Sequence, residues 1–221
     1  MDRKPIVVID GPAGSGKSTV SRLLAASLGY LYLDTGALYR AVAYLAGRFG
    51  IGEEDEAALV ELVRGADIRL CQSGTDMRVE VGGEDVTAYL REEEVGIRAS
   101  RISALPGVRE MLLPVQRAAG VNGGIVAEGR DVGTVVFPDA AVKFYLDADG
   151  EERIARRFRE VAAGGGKPKE GKVAEDLRRR DRQDKERRAA PLRPHEKAII
   201  IDTTNMSIPQ VVEVMLAHIK K

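Results

Sequence analysis

Gly11-Pro-Ala-Gly14-Ser-Gly16-Lys17-Ser18 fits the pattern G-x-x-x-x-G-K-[ST]. The glycines let backbone N–H groups turn inward around a phosphate where a Cβ would intrude. A helix beginning near Gly16 aims its positive end at the same point. Lys17 can reach the β- and γ-phosphates of a nucleotide, and the Ser18 hydroxyl can ligate Mg²⁺. The run Gly11, Pro12, Ala13, Gly14, Ser15, Gly16, Lys17, Ser18 and Thr19 is therefore expected to hold a nucleoside triphosphate. It does not say what becomes of the phosphate. A switch or hydrolase must position water, whereas a kinase needs a second pocket. The basic residues favour the second pocket: Arg40, Arg109, Arg130 and the series Arg178, Arg179, Arg180, Arg182, Arg187 and Arg188.

These side chains need a frame. Pro5-Ile-Val-Val-Ile-Asp10 is a short β-branched run, as in a strand buried on both faces. Helical spacing follows over Ser18 to Leu28, and Gly29 stops it. Tyr30 to Leu33, Gly124 to Ala127, Ala141 to Leu146 and Ala198 to Ile201 are further strands, separated by helical stretches. Five buried strands alternating with helices predict an α/β doubly wound parallel sheet, its ligands at the strand C-terminal ends. Asp34, Arg130 and Asp131 all follow such ends. Near Ala66 the rhythm breaks. Ile68 to Cys71, Met77 to Val81 and Glu84 to Val86 predict a small antiparallel insertion over about 66–90, with Gly82-Gly83 as its hairpin turn. Val95 to Ala119 is expected to be helical, broken near Leu105-Pro106-Gly107. Glu151 to Arg193 holds 15 basic and nine acidic residues and predicts a charged helical hairpin. Its glycine-rich tip, Gly164 to Gly166, is given no chemical role.

Composition narrows the choice. The 34 Lys and Arg balance 34 Asp and Glu, which argues against a broad nucleic-acid-binding surface. A local basic pocket remains open. The lone Cys71 excludes an internal disulfide, and two histidines leave little for a histidine metal centre. Cys71 is expected to pack as a small apolar residue on the inserted sheet, and His195 and His218 to be structural or solvated. Met1 to Asp10 has no signal-peptide core, and no segment approaches a membrane span, so a cytoplasmic location is expected. Nothing requires more than a monomer.

Taken together, the segments Ile9 to Thr19, Leu33-Asp-Thr-Gly-Ala-Leu-Tyr-Arg40, Ser100 to Ser103 with Pro106 to Arg109, Ala127-Glu-Gly-Arg-Asp-Val-Gly-Thr-Val-Val-Phe-Pro138, and Arg180 to Asp184 running to Arg187 and Leu192 resemble bacterial cytidylate kinases, of the nucleoside monophosphate kinase group of P-loop proteins. The segments occur in family order over nearly the whole chain. The resemblance implies phosphoryl transfer from ATP, with Mg²⁺, to CMP or dCMP. It implies a single P-loop domain whose insertion binds the monophosphate and whose residues 151–187 form a lid. Arg40, Arg130 and Arg187 match arginines that hold the acceptor phosphate. Thr35, Ser100, Arg109 and Asp131 match residues that read cytosine. Arg180 and Asp184 approach the sugar, and Arg180 also nears the transferring phosphates. The expected catalytic set is Lys17, Arg130, Arg180 and Arg187. Thr35 stands where many relatives have serine and keeps the hydroxyl. Tyr39 is expected to pack beside the acceptor pocket, and Asp34 to orient arginines.

That chemistry is self-consistent. A phosphate monoester has its second pKa near 6, so the acceptor is mostly dianionic near neutrality and needs no general base. The obstacle is bringing two polyanions together, which fixed guanidinium groups can offset. Cytosine presents an amino donor where uracil has a carbonyl, so a carboxylate at Asp131 predicts CMP over UMP. Two alternatives stay open. Another P-loop kinase would change only the acceptor. A nucleotide switch or nucleic-acid partner would use Arg178 to Arg188 as a stripe, although that segment interleaves Asp181, Asp184 and Glu186 and has no aromatic stacking residue.

Overall fold

The computed structural model describes residues 4–163 and 165–219. Met1 to Arg3 and the lid-tip Gly164 lie outside them. In chain order the elements are β1 (Ile6–Asp10), α1 (Lys17–Leu28), β2 (Leu31–Asp34), α2 (Gly36–Phe49), α3 (Glu56–Gly65), β3 (Ile68–Ser73), β4 (Asp76–Val81), β5 (Glu84–Asp85), α4 (Glu93–Ile102), α5 (Pro106–Ala119), β6 (Ile125–Gly129), β7 (Val142–Asp147), α6 (Gly150–Ala163), α7 (Glu170–Glu186), β8 (Ile199–Asp202) and α8 (Ile208–Ile219).

The strands are apolar on both faces because both faces are covered. Val7, Ile9, Val126, Phe144 and Leu146 point one way, into a core closed by α1 and α8. Val8, Leu33, Ile125 and Ala127 point the other way, onto Val132, Val136 and Phe137. The alternation within β1 and β6 is the period of two that a strand imposes. The five expected strands pair in parallel in the order β2-β6-β1-β7-β8. This order places the C-terminal ends of β1, β2 and β6 side by side, and those ends carry the phosphate loop, Asp34 and Arg130.

The inserted hairpin is antiparallel, β3 against β4 and β4 against β5. Gly82 and Gly83 take φ of +58° and +86° at its turn, which only glycine adopts without cost. It does not stand apart. The Tyr32 N–H donates to the Thr75 carbonyl at 2.8 Å, and Tyr32 aligns with Asp76 in a single parallel pairing that joins β4 to β2. The hairpin extends the main sheet to eight strands. Its apolar side, with Ile68 and Val79, packs with α2, α3, α4 and α5 in one core running from Leu38 to Leu112. The packed unit around the insertion is therefore larger than the inserted segment.

The α6–α7 hairpin is built differently. Among the described residues, its apolar cluster with Ala13 of the phosphate loop consists of Ile154, Leu177 and Ala174. So thin an apolar core leaves charge pairs such as Arg153 with Asp181 a large share in holding the hairpin. No helix among the described residues is long and apolar enough to cross a membrane.

One glycine fixes where β1 hands over to the loop. Gly11 has φ of +148°, and a Cβ there would lie 2.0 Å from the Leu146 carbonyl oxygen. That oxygen is backbone and cannot swing away. Gly11→Ala should cost about 2 kcal/mol or more and lower the melting temperature by roughly 5 °C. A thermal melt superimposable on that of the parent would show that the loop shifts freely.

Candidate active site

A cavity of about 1040 Å³ opens over the C-terminal ends of the parallel strands, between the phosphate loop, α4 and the lid. That volume lies at the upper end of the roughly 300–1,000 Å³ usual for a ligand pocket.

At its donor end, α1 starts at Gly16, whose φ of +87° lets the loop enter the helix. The Lys17 ammonium is buried and donates to the Pro12 carbonyl at 2.5 Å and the Ser15 hydroxyl at 3.3 Å. Burial and the nearby Arg130 charge push its pKa down to about 7, against the pull of Glu128 and Asp10. A polyanion would reverse that penalty. Of the expected triphosphate residues, Ala13, Gly14, Gly16, Lys17, Ser18 and Thr19 line the cavity. Gly11, Pro12 and Ser15 lie behind it as scaffold: the Ser15 hydroxyl donates to the Pro12 carbonyl at 3.1 Å.

The acceptor end is organised by carboxylates. Asp131 lies between two guanidinium groups, paired with Arg109 and, at 3.0 Å, with Arg187. Arg109 also donates to the Ser103 carbonyl at 2.9 Å, and its guanidinium lies 5.4 Å from the centre of the Tyr39 ring. Arg187 is anchored by Nε to the Ala190 carbonyl at 2.7 Å. Arg187, which the resemblance assigns to the acceptor phosphate, here pairs with the carboxylate that the resemblance assigns to the base. Thr35 donates through its hydroxyl to the Glu128 carbonyl at 2.8 Å, and Asp34 pairs with Arg40. Ser100 lines the wall, and its carbonyl receives Gln183 of the lid at 2.5 Å.

Four cations gather between the two ends. Arg130 holds Asp184 at 2.8 Å. Arg180 feels the charges of Arg130, Arg157 and Arg40, and burial first, then Arg130, pulls its pKa down to about 10. Its Nε is buried with no hydrogen-bond partner. A guanidinium with an unused donor among like charges is a site built for an anion.

A family model described as cytidylate kinase matches residues 7–221. The chain belongs to the cytidylate kinase family. It is 49% identical over 216 residues to a cytidylate kinase of Geobacter sp. (strain M21), covering 98% of this chain and 93% of that one. It is 45% identical to a cytidylate kinase of Vibrio cholerae, covering 98% and 96%. A solved gluconokinase from Sinorhizobium meliloti 1021 covers 99% of this chain and 92% of its own at 13% identity, with a TM-score of 0.52. That likeness shows the fold alone.

Several residues at the site escape sequence reasoning. Buried Glu128 accepts from the Tyr32 hydroxyl; burial first, then the Asp34 charge, raises its pKa, while Lys17 and a Ser18 hydrogen bond oppose this. Arg153 joins the lid to the phosphate loop, pairing with Asp181 and donating to the Ala13 carbonyl at 3.2 Å. Arg156 donates to the Thr203 hydroxyl at 2.9 Å and the Thr203 carbonyl at 2.7 Å, fixing the segment after β8 that borders the loop. Glu128 and Gln183 lay inside matched segments, but no spacing rule marks them. His218 is exposed on α8, edge-on to Phe144, and the His195 ring accepts from the Lys197 N–H; neither lines the cavity.

Proposed function

We propose that the chain transfers the γ-phosphoryl group of ATP to CMP or dCMP, giving ADP and CDP or dCDP. The observation that carries this is half-buried Arg180, its Nε without a hydrogen-bond partner and set among the charges of Arg130, Arg157 and Arg40, in one cavity with Lys17 and with Asp131. Lys17 and the loop N–H groups hold the donor triphosphate. Arg40, Arg130 and Arg180 offset the charge of donor and acceptor phosphates and of the equatorial oxygens as transfer proceeds. Arg109 and Asp131 read the base, Arg187 holds Asp131 in place, and Thr35 and Ser100 border the same pocket. Asp184, which pairs with Arg130 at 2.8 Å, approaches the sugar together with Arg180.

Mg²⁺ fits the donor end. The Ser18 hydroxyl, the Glu128 carboxylate bonded to it and the nearby Asp34 carboxylate are all hard oxygen groups. Ser18 would hold the ion, with Glu128 and Asp34 supplying negative field. When bound, Mg²⁺ offsets charge on the β- and γ-phosphates. The reaction needs no partner protein and no nucleic acid, and it proceeds in a monomer in the cytoplasm.

The test is an ADP-release assay with ATP against CMP, dCMP, UMP and AMP. CMP and dCMP should turn over with the highest kcat/KM. Equal values for CMP and UMP would remove the base assignment, and turnover of none of the four would remove the reaction.

A further inference from the structure

The carboxylate at the end of β1 has no part in the chemistry above, yet it is buried behind the cavity, between the start of the phosphate loop and the turn that follows Asp131. Asp10 is 4% exposed. One oxygen accepts from the Val132 N–H at 2.9 Å and the other from the Gly133 N–H at 2.7 Å. Those two residues open a π turn, Val132–Val136, wound on the Asp131 carbonyl, which accepts from the Val135 N–H at 2.8 Å. The turn begins directly after Arg130 and Asp131. Asp10 also aligns with Gly129 across the β1–β6 pairing and is followed by Gly11 of the phosphate loop.

We propose that Asp10 is a positioning residue for the acceptor site, its two oxygens fixing the turn that aims Arg130 and Asp131 while its own backbone leads into the donor loop. This rests on the proposed reaction. The two ends of the cavity are thereby set in register by one side chain instead of by sheet pairing alone. Both donors are buried, so each N–H that loses its acceptor is left unsatisfied. Gly133 is closely packed at this junction: a Cβ there would lie 3.3 Å from the Asp10 carboxylate, from the Lys143 stem and from Val8, so that these side chains would have to shift by a few tenths of an ångström. Burial pushes the Asp10 pKa up to about 6 against these two hydrogen bonds, which marks a charge kept in place for its geometry.

Asp10→Asn keeps the shape but can accept from only one of the two N–H groups. It should raise KM for CMP about tenfold and lower the CMP-to-UMP ratio of kcat/KM, with KM for ATP within twofold of the parent. Gly133→Ala, which presses on the same junction from the other side, should move the same two quantities. Calorimetric titration with CMP should show the same loss of affinity without turnover. A merely structural role would lower the melting temperature and the active fraction and leave KM for CMP and the base ratio unchanged; that result in both variants overturns the proposal. KM for ATP rising as much as KM for CMP also overturns it, because Asp10 would then serve the donor loop. If Asp10→Asn does not fold, Gly133→Ala alone decides. Failure of the parent chain to phosphorylate CMP would fall on the functional reading, and the calorimetric comparison would still stand.

Discussion

Arg180→Ala should lower kcat/KM for CMP by roughly 10²- to 10⁴-fold and raise the melting temperature. The two effects have one cause. Arg180 is half-buried on α7 with its Nε enclosed and unpartnered, and the charges of Arg130, Arg157 and Arg40 oppose its own. Without an anion it costs stability; with two polyanions in the cavity the same crowding becomes complementarity. Removing it relieves the resting protein and strips the transfer step of a bidentate donor. Asp184 pulls in the other direction and favours the Arg180 charge, but it keeps Arg130 as its partner at 2.8 Å.

Arg130 supplies the control. It is held by Asp184, so Arg130→Ala leaves a buried carboxylate without its direct partner and should lower activity and melting temperature together. Single-turnover kinetics with ATP and CMP measure the first effect and a thermal melt the second. Arg180→Lys should recover little of the lost rate, since an ammonium cannot present the planar fork. A melting temperature that falls by several degrees in Arg180→Ala would show that this guanidinium holds the lid in place. Unchanged turnover would remove it from the transfer step.

The sheet was legible because it is parallel and covered on both faces. Five short apolar runs needed no alternation to be recognised, and β1, β2, β6, β7 and β8 fall within a residue or two of the runs that predicted them. The phosphate loop was legible because its function is backbone geometry, which glycine and lysine at fixed spacing report directly. Long-range pairings were not. Nothing in the sequence tells that Asp76 meets Arg22 at 2.7 Å, or that Thr75 ties the hairpin to β2, because a one-residue pairing has no pattern. Val132-Gly-Thr-Val-Val136 has the composition of a strand, yet it winds into a π turn because Asp10 and the Asp131 carbonyl claim its N–H groups. Local propensity lost there to two buried acceptors. Strand ends and charge marked Arg40, Arg109, Arg130 and Asp131 as candidates, but their individual roles came only from matches to a family, since pairs such as Arg109 with Asp131 and Asp131 with Arg187 join residues 22 and 56 apart and leave no local pattern.

Base choice gives the second large effect. In Asp131→Ala the CMP-to-UMP ratio of kcat/KM should fall by roughly tenfold or more, through loss of CMP activity. Both carboxylate oxygens are already engaged, one by Arg109 and one by Arg187. Each oxygen has two acceptor positions, so the pair still has capacity for the cytosine amino group. A uracil carbonyl offers no proton there and faces a negative charge. Asp131→Ala also strands two largely buried guanidinium groups and should cost about 3 kcal/mol of stability, so activity alone would not isolate the base effect. Asp131→Asn does. Its amide can donate where the carboxylate accepts, so UMP should gain in absolute kcat/KM while CMP loses, and a change of opposite sign for two substrates cannot come from partial unfolding. The measurement is kcat/KM for both nucleotides at one pH, with the folded fraction fixed by active-site titration. If CMP and UMP lose activity in the same proportion in both variants, Asp131 serves only to hold Arg109 and Arg187, and base recognition must lie elsewhere on the cavity wall.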